Sequence, residues 1–167
     1  MKKFIAGLIL GMLLLPLCGY LYFASGNAPA ATADPPLPFE KSMAKMALRA
    51  KLKPIRTLKS PVAADEATLV AGAKIYKENC AVCHGLPNQA VTTIPKGMFP
   101  YPPQLFYGDD MVTKDAVGTI YWKVANGIRL TGMPAFNHAL NDTEMWQVTQ
   151  LLSHADKVPP AAQDLLK

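Results

Sequence analysis

Cys80-Ala81-Val82-Cys83-His84 is the stretch on which the reading of this chain turns. Two thiols one short turn apart can reach the two vinyl groups of a single porphyrin, and the histidine that follows is then carried beneath the ring with Nε2 toward the iron. Cys-x-x-Cys-His is for that reason the attachment signature of a c-type haem. The axial bond requires a neutral imidazole nitrogen, so Nδ1–H must meet an acceptor that sets both the tautomer and the orientation of the ring. A bare Cys-x-x-Cys also serves as a redox dithiol or as half of a zinc site. Here no βαβ pattern surrounds the pair, and the third cysteine, Cys18, lies in an apolar run, so there is no second pair of ligands. One covalent haem c, bound through Cys80 and Cys83 with His84 on the iron, is the expected cofactor.

Upstream of the pentad, Asp65 or Ala64 opens a helix that feeds directly into Cys80. Glu66 stands in its first turn, where the helix dipole favours negative charge. Leu69, Gly72, Ala73 and Tyr76 form a stripe at helical spacing. Further back the composition changes twice. Phe4–Phe23 is an uncharged apolar run of bilayer-spanning length behind Lys2 and Lys3. The positive-inside rule keeps those lysines cytoplasmic and sends the remainder across the membrane. The length of the run and the cluster Tyr20, Tyr22, Phe23 favour a retained anchor. Small-x-small sequences such as Ala24-Ser25-Gly26 and Ala28-Pro29-Ala30 offer cleavage sites. Cys18 permits a lipidated terminus, although Leu17 stands where a small residue is expected.

Residues 26–60 form a Pro/Ala-rich spacer followed by a basic neck. Glu40–Leu52 reads as a helix with Met43, Met46, Ala47 and Ala50 on one face and Lys41, Lys45 and Arg49 at four-residue spacing on another. Between Asp34 and Ser60 there are seven basic residues against two acidic ones, whereas Pro61–Lys167 carries eight basic and ten acidic. The net charge of +5 therefore belongs to the neck, which suits anionic lipid headgroups or an acidic partner. Nucleic acid is not expected behind an export segment. The chain divides into an anchor or signal segment over 1–25, the spacer and neck over 26–60, and a haem domain over 61–167.

Downstream, Leu86–Asp110 has no period and contains five prolines, so it is expected to be a long loop wrapping the porphyrin edge, with Ile94, Phe99, Tyr101, Leu105 and Phe106 covering the ring. A helix over Asp115–Asn126 stops at Gly127. A second runs from Asn141 to Ser153, with Asn141 and Glu144 spaced as a capping box. Pro159 and Pro160 end the ordered part, leaving 161–167 as a tail. Of the eight methionines, only Met98, Met111 and Met133 lie outside the membrane run, the neck and a regular helix. Met133 is favoured as sixth ligand, because Gly132 and Pro134 set an extended turn that points its sulfur inward. His138 and His154 are the histidine alternatives. Arg129, Tyr121 and Trp122 flank the loop as candidate haem or propionate contacts.

Asn79–Gly85 (NCAVCHG), Asn126–Phe136 (NGIRLTGMPAF) and the last helix with Trp146 together resemble a class I c-type cytochrome over about Ala63–Lys157. The resemblance implies an all-α fold around one covalent haem, here preceded by a single transmembrane helix and the neck. It also implies His84 and Met133 as axial ligands, and a meeting of Gly72 and Tyr76 on the first helix with Trp146 on the last. A proline carbonyl is expected to hold His84, with Pro95 or Pro102 as candidates. The expected function is single-electron transfer between respiratory partners, without enzymatic turnover, on the periplasmic side of a bacterial cytoplasmic membrane. A fixed subunit of a larger membrane oxidoreductase is the alternative, followed by a haem sensor or peroxidase. The bilayer itself is an expected partner through residues 4–23.

Overall fold

The computed structural model describes residues 1–87, 89, 91–107 and 111–167. Part of the loop expected at 86–110 thus lies outside the described residues. Every described element is a helix or a helical turn, and no strand occurs among the described residues. The chain forms two compact units, Met1–Glu40 and Lys41–Lys167.

The first unit is dominated by α1 (Lys2–Ala24), which buries none of its residues. It is long and apolar enough to cross a membrane. Pro16 lies inside it, a placement that transmembrane helices tolerate.

The second unit takes in all but the first residue of α2 (Glu40–Leu52), whose only buried residue is Leu52. A single turn at Pro54–Thr57 follows. This stretch lies against α5 (Val117–Asn126), where a Cβ on Gly118 would come within 2.4 Å of the Ile55 carbonyl oxygen and 2.7 Å of Leu58 Cβ. Gln150 Nε2 donates to the Val62 carbonyl at 2.5 Å, which fastens the segment to the haem-bearing part of the chain.

The core is a three-helix packing. α3 (Glu66–Asn79) begins at Asp65, whose carboxylate accepts from Thr68 N at 2.8 Å. It buries the stripe Leu69, Gly72, Ala73, Ile75 and Tyr76. α6 (Asp142–Ser153) begins with the expected capping box between Asn141 and Glu144 and buries Met145, Trp146, Val148, Leu151 and Leu152. A Cβ on Gly72 would lie 2.3 Å from the Gln147 carbonyl oxygen, so the absent side chain is what lets α3 and α6 touch. The rings pair differently from the expected meeting of Tyr76 and Trp146. Tyr76 meets Phe106 edge-on at 4.9 Å, and Trp146 stacks on Tyr121 at 3.9 Å.

Two expectations need correction. The helix expected from Asp115 begins at Val117, because Val112–Lys114 forms a separate turn and Ala116 makes no side-chain cap. The expected tail is also ordered. Pro160 opens α7 (Pro160–Leu165), and Ala162 and Leu166 are buried against the core. Proline at a first helical position gives up no intrahelical donor, so the same residue that ends one element starts the next.

Gly72→Ala is expected to lower stability by about 1–3 kcal/mol, the usual cost of forcing an extra methyl into a filled contact. Gly97→Ala, where a Cβ would meet nothing within 4 Å, should stay within about 0.5 kcal/mol. Guanidinium unfolding of the two variants makes the comparison.

Candidate functional site

The pentad grows out of the end of α3. Cys80 N donates to the Tyr76 carbonyl at 2.8 Å, and Cys80 caps the helix. The short turn α4 (Ala81–His84) continues it, with His84 N donating back to the Cys80 carbonyl at 2.9 Å. Gly85 then reverses the chain at φ 75°, a left-handed conformation that glycine adopts without strain. Tyr76, fully buried, donates its hydroxyl to the Gly85 carbonyl at 2.7 Å. The turn carrying both thiols and the imidazole is thus tied to the core at both ends.

His84 Nδ1 donates to the Pro103 carbonyl at 2.8 Å. The carbonyl oxygen can only accept, so the proton sits on Nδ1 and leaves Nε2 as a free lone pair. The acceptor is neither Pro95 nor Pro102. Burial holds the imidazole below its ordinary pKa, and the Pro103 hydrogen bond opposes this to a smaller extent. The outcome is a neutral ring with an available nitrogen. Burial, and then the neighbouring Cys83, push the Cys80 thiol up to about 12. A thiol held so far from ionisation is a poor redox nucleophile. Among the described residues no three His, Cys, Asp or Glu side chains gather as a metal site.

The second half of the candidate site is the loop from Gly127 to Phe136. It leaves α5 and returns to it: Phe136 N donates to the Val124 carbonyl at 3.1 Å, and Ile128 N to the Met133 carbonyl at 3.2 Å. Thr131 bridges the inside, its hydroxyl donating to Ile128 O at 2.6 Å and accepting from Met133 N at 3.1 Å. A Cβ on Gly127 (φ 63°) would lie 2.7 Å from the Met133 carbonyl oxygen and 2.6 Å from Pro134 C. Only glycine fits both the conformation and the space. An open pocket of about 330 Å³ is lined by Asn126, Ile128, Arg129, Thr131 and Met133.

A residue weighed in the sequence only as a possible ligand links the two halves. Met98 follows the turn Pro95–Gly97, which packs against α4. Its terminal methyl occupies the space where a Gly132 Cβ would be, at 2.1 Å. The chain from the His84 turn to the Met133 loop is therefore continuous in space. Gln104, which the sequence reading did not single out, lies beside the pentad turn. Both polar atoms of its buried amide lack a protein partner, and a Cβ on Gly85 would lie 2.4 Å from its Nε2. Nothing in the sequence distinguishes Gln104 from a surface loop residue.

The remaining expected contacts are placed as follows. Tyr121 gives its hydroxyl to the Asp142 carboxylate and its ring to Trp146. Burial, and then Asp142, push its pKa up to about 12. Trp122 is half-buried, with its carbonyl accepting from Asn126 Nδ2 at 2.9 Å. Arg129 is exposed at the pocket. His138 is exposed, and His154 caps α6 with Nδ1 donating to the Gln150 carbonyl at 2.9 Å. Of the loop residues expected to cover the ring, Ile94, Phe99 and Tyr101 are exposed, whereas Phe106 joins the core.

A paired-thiol turn ending in an oriented neutral histidine, on an all-helical core with a glycine-bound methionine loop opposite in sequence, defines a c-type cytochrome domain. Residues 67–152, just over half of the chain, match the family described as cytochrome C oxidase, cbb3-type, subunit III, and the chain belongs to that family. No curated protein and no solved structure matches it. Membership brings a covalently bound haem c and electron transfer through it. The residues present fit that group. Both thiols stand one turn apart on the same turn as a neutral histidine, and a buried amide with free polar atoms lies beside it.

Tyr76→Phe would strand the Gly85 carbonyl in the core. It is expected to cost about 1–3 kcal/mol, read as a lower denaturation midpoint with an unchanged slope.

Proposed function

We propose that the protein is a membrane-tethered monohaem cytochrome c that carries single electrons between respiratory partners, with Cys80 and Cys83 as the thioether sulfurs and His84 and Met133 as the axial ligands. Bound haem supplies a one-electron ferric/ferrous couple. The observation that carries the reading is the His84 Nδ1–H to Pro103 hydrogen bond, which presents Nε2 as a ligand from a fixed direction. Met133 is the preferred sixth ligand because its loop is closed by hydrogen bonds and by Gly127. A loop held in this way changes little between oxidation states, which favours fast electron exchange. No substrate bond is made or broken, so the proposed role is carrier and not enzyme. The domain boundaries are proposed as an anchor over 1–25, a spacer and neck over 26–60 and a haem domain over 61–167. In that arrangement α1 anchors the chain in a bacterial cytoplasmic membrane with the haem domain on its periplasmic side.

A second reading is favoured by the family's own description, which names an oxidase subunit. The domain would then be a fixed part of a membrane oxidoreductase. Purification in mild detergent separates the two: a lone chain fits the carrier, and co-elution with other chains in constant ratio fits the subunit.

Met133→Ala is expected to abolish the far-red band of sulfur-ligated ferric haem and to admit carbon monoxide at neutral pH. The reduction potential should fall by on the order of tenths of a volt. The intact mass should still show the haem adduct. Survival of the band would move the ligand elsewhere, with Met98 the first candidate by position.

A further inference from the structure

The neck helix presents a surface that the haem site does not use. Lys41, Lys45, Arg49, Lys51 and Lys53 are all exposed, and none takes part in the ion pairs found among the described residues. The one acidic residue of α2 is Glu40, whose carboxylate is engaged at the helix start by Leu37 N at 2.9 Å. Beside these cations the helix exposes Met43 and Met46, and Phe39 immediately before it is 79% exposed. α2 thus combines uncompensated positive charge with an uncovered apolar edge over three turns.

Its attachment is one-sided. Leu52 is its only buried residue, and the turn that follows lies against Gly118 of α5. The far end is joined to α1 by residues 25–39 alone, a span of at most about 50 Å when fully extended. A membrane-inserted α1 therefore holds α2 permanently close to a headgroup layer.

We propose that α2 docks on the surface of a bilayer containing anionic phospholipid, with its lysines and Arg49 at the phosphates and Met43 and Met46 at the headgroup–acyl boundary. The tether favours lipid over an acidic protein, because the lipid surface is always within reach and a partner must arrive by diffusion. Since the end of α2 is fastened to the haem-bearing helices, docking limits how far and in which directions the haem domain stands off the membrane. The inference rests on the proposed anchoring by α1 and is independent of which residue is the sixth ligand.

The test uses the full-length holoprotein in nanodiscs of phosphatidylcholine alone, or of equal parts phosphatidylcholine and phosphatidylglycerol. Hydrogen exchange is followed for peptides spanning 40–53. Exchange should slow by about tenfold or more in the anionic discs. High salt should remove the protection, because screening shortens the reach of surface charge. The variant Lys41→Gln/Lys45→Gln/Arg49→Gln should lose it while keeping the haem spectrum unchanged. Equal exchange in the two discs overturns the proposal. So does protection that survives salt and the triple substitution, or protection that appears only when an acidic redox protein is added. Intact mass of the disc-bound protein separates the premises: a chain lacking α1 refutes the anchoring on which the inference rests, whereas an intact inserted chain with a freely exchanging α2 refutes docking alone.

Discussion

The hydrogen bond from His84 Nδ1 to the Pro103 carbonyl is the constraint on which the rest of the structure depends. It joins residues 19 apart, and an irregular segment of that length resists closure by its own entropy. The prolines within it restrict the unfolded chain and lower that cost. Side contacts supplement the closure: Thr92 donates its hydroxyl to Val82 O at 2.7 Å, and Val112 N donates to Leu105 O at 3.2 Å. The loop is therefore held against the pentad at Thr92 and at Pro103, and Val112 fastens the backbone just beyond it. What it delivers is a single acceptor atom at a defined point, and that atom decides which nitrogen of His84 carries the proton.

The helices provide the frame that makes this contact reproducible. α3 ends in Cys80, and α5 ends in the Gly127 turn that starts the methionine loop. Both helices pack on α6. Gly72 brings α3 against the α6 backbone, and the stacked rings of Tyr121 and Trp146 bring α5 against it. A change in the spacing of α6 would displace the pentad and the methionine loop relative to each other. Stability and site geometry are coupled through one helix that contributes no expected ligand.

Legibility followed the strength of local signals. The bounds of α2, and the caps at Asp65 and Asn141, were readable because side-chain caps and apolar periods mark them within a few residues. The start of α5 was not, since Ala116 offers no capping side chain. The ordered C-terminus was hidden because Pro159-Pro160 reads as a stop and is equally a start. The pentad's place at the end of α3 and the turn at Gly85 were legible. The proline behind His84 was not, because several prolines qualify and only the backbone path from Gly85 selects Pro103. Tyr121, named for its nearness in sequence to Met133, turns its ring toward Trp146 and its hydroxyl toward Asp142. Met98 and Gln104 depend on long-range packing that no local pattern encodes.

Carrier and subunit make the same demands on the site, so the chemistry of Cys80, Cys83, His84 and Met133 does not separate them. The separation lies on the surface. Pro61–Lys167 carries a slight excess of acidic residues while the neck concentrates basic ones, so one chain offers two kinds of electrostatic face. At the candidate ligand loop, Arg129 and Leu130 are exposed, and Leu130 is held at φ 62° with 75% of its surface open. A bulky residue in that conformation carries backbone strain, and the loop's closure by Gly127 and Thr131 supplies the restraint that sustains it. An exposed leucine beside an arginine offers one apolar point and one charge. Contacts of that size suit partners that exchange an electron and part. A permanent subunit would instead be expected to bury a much larger and more apolar area. The extent of surface shielded around Leu130 in the native membrane is thus the physical quantity that distinguishes the two roles.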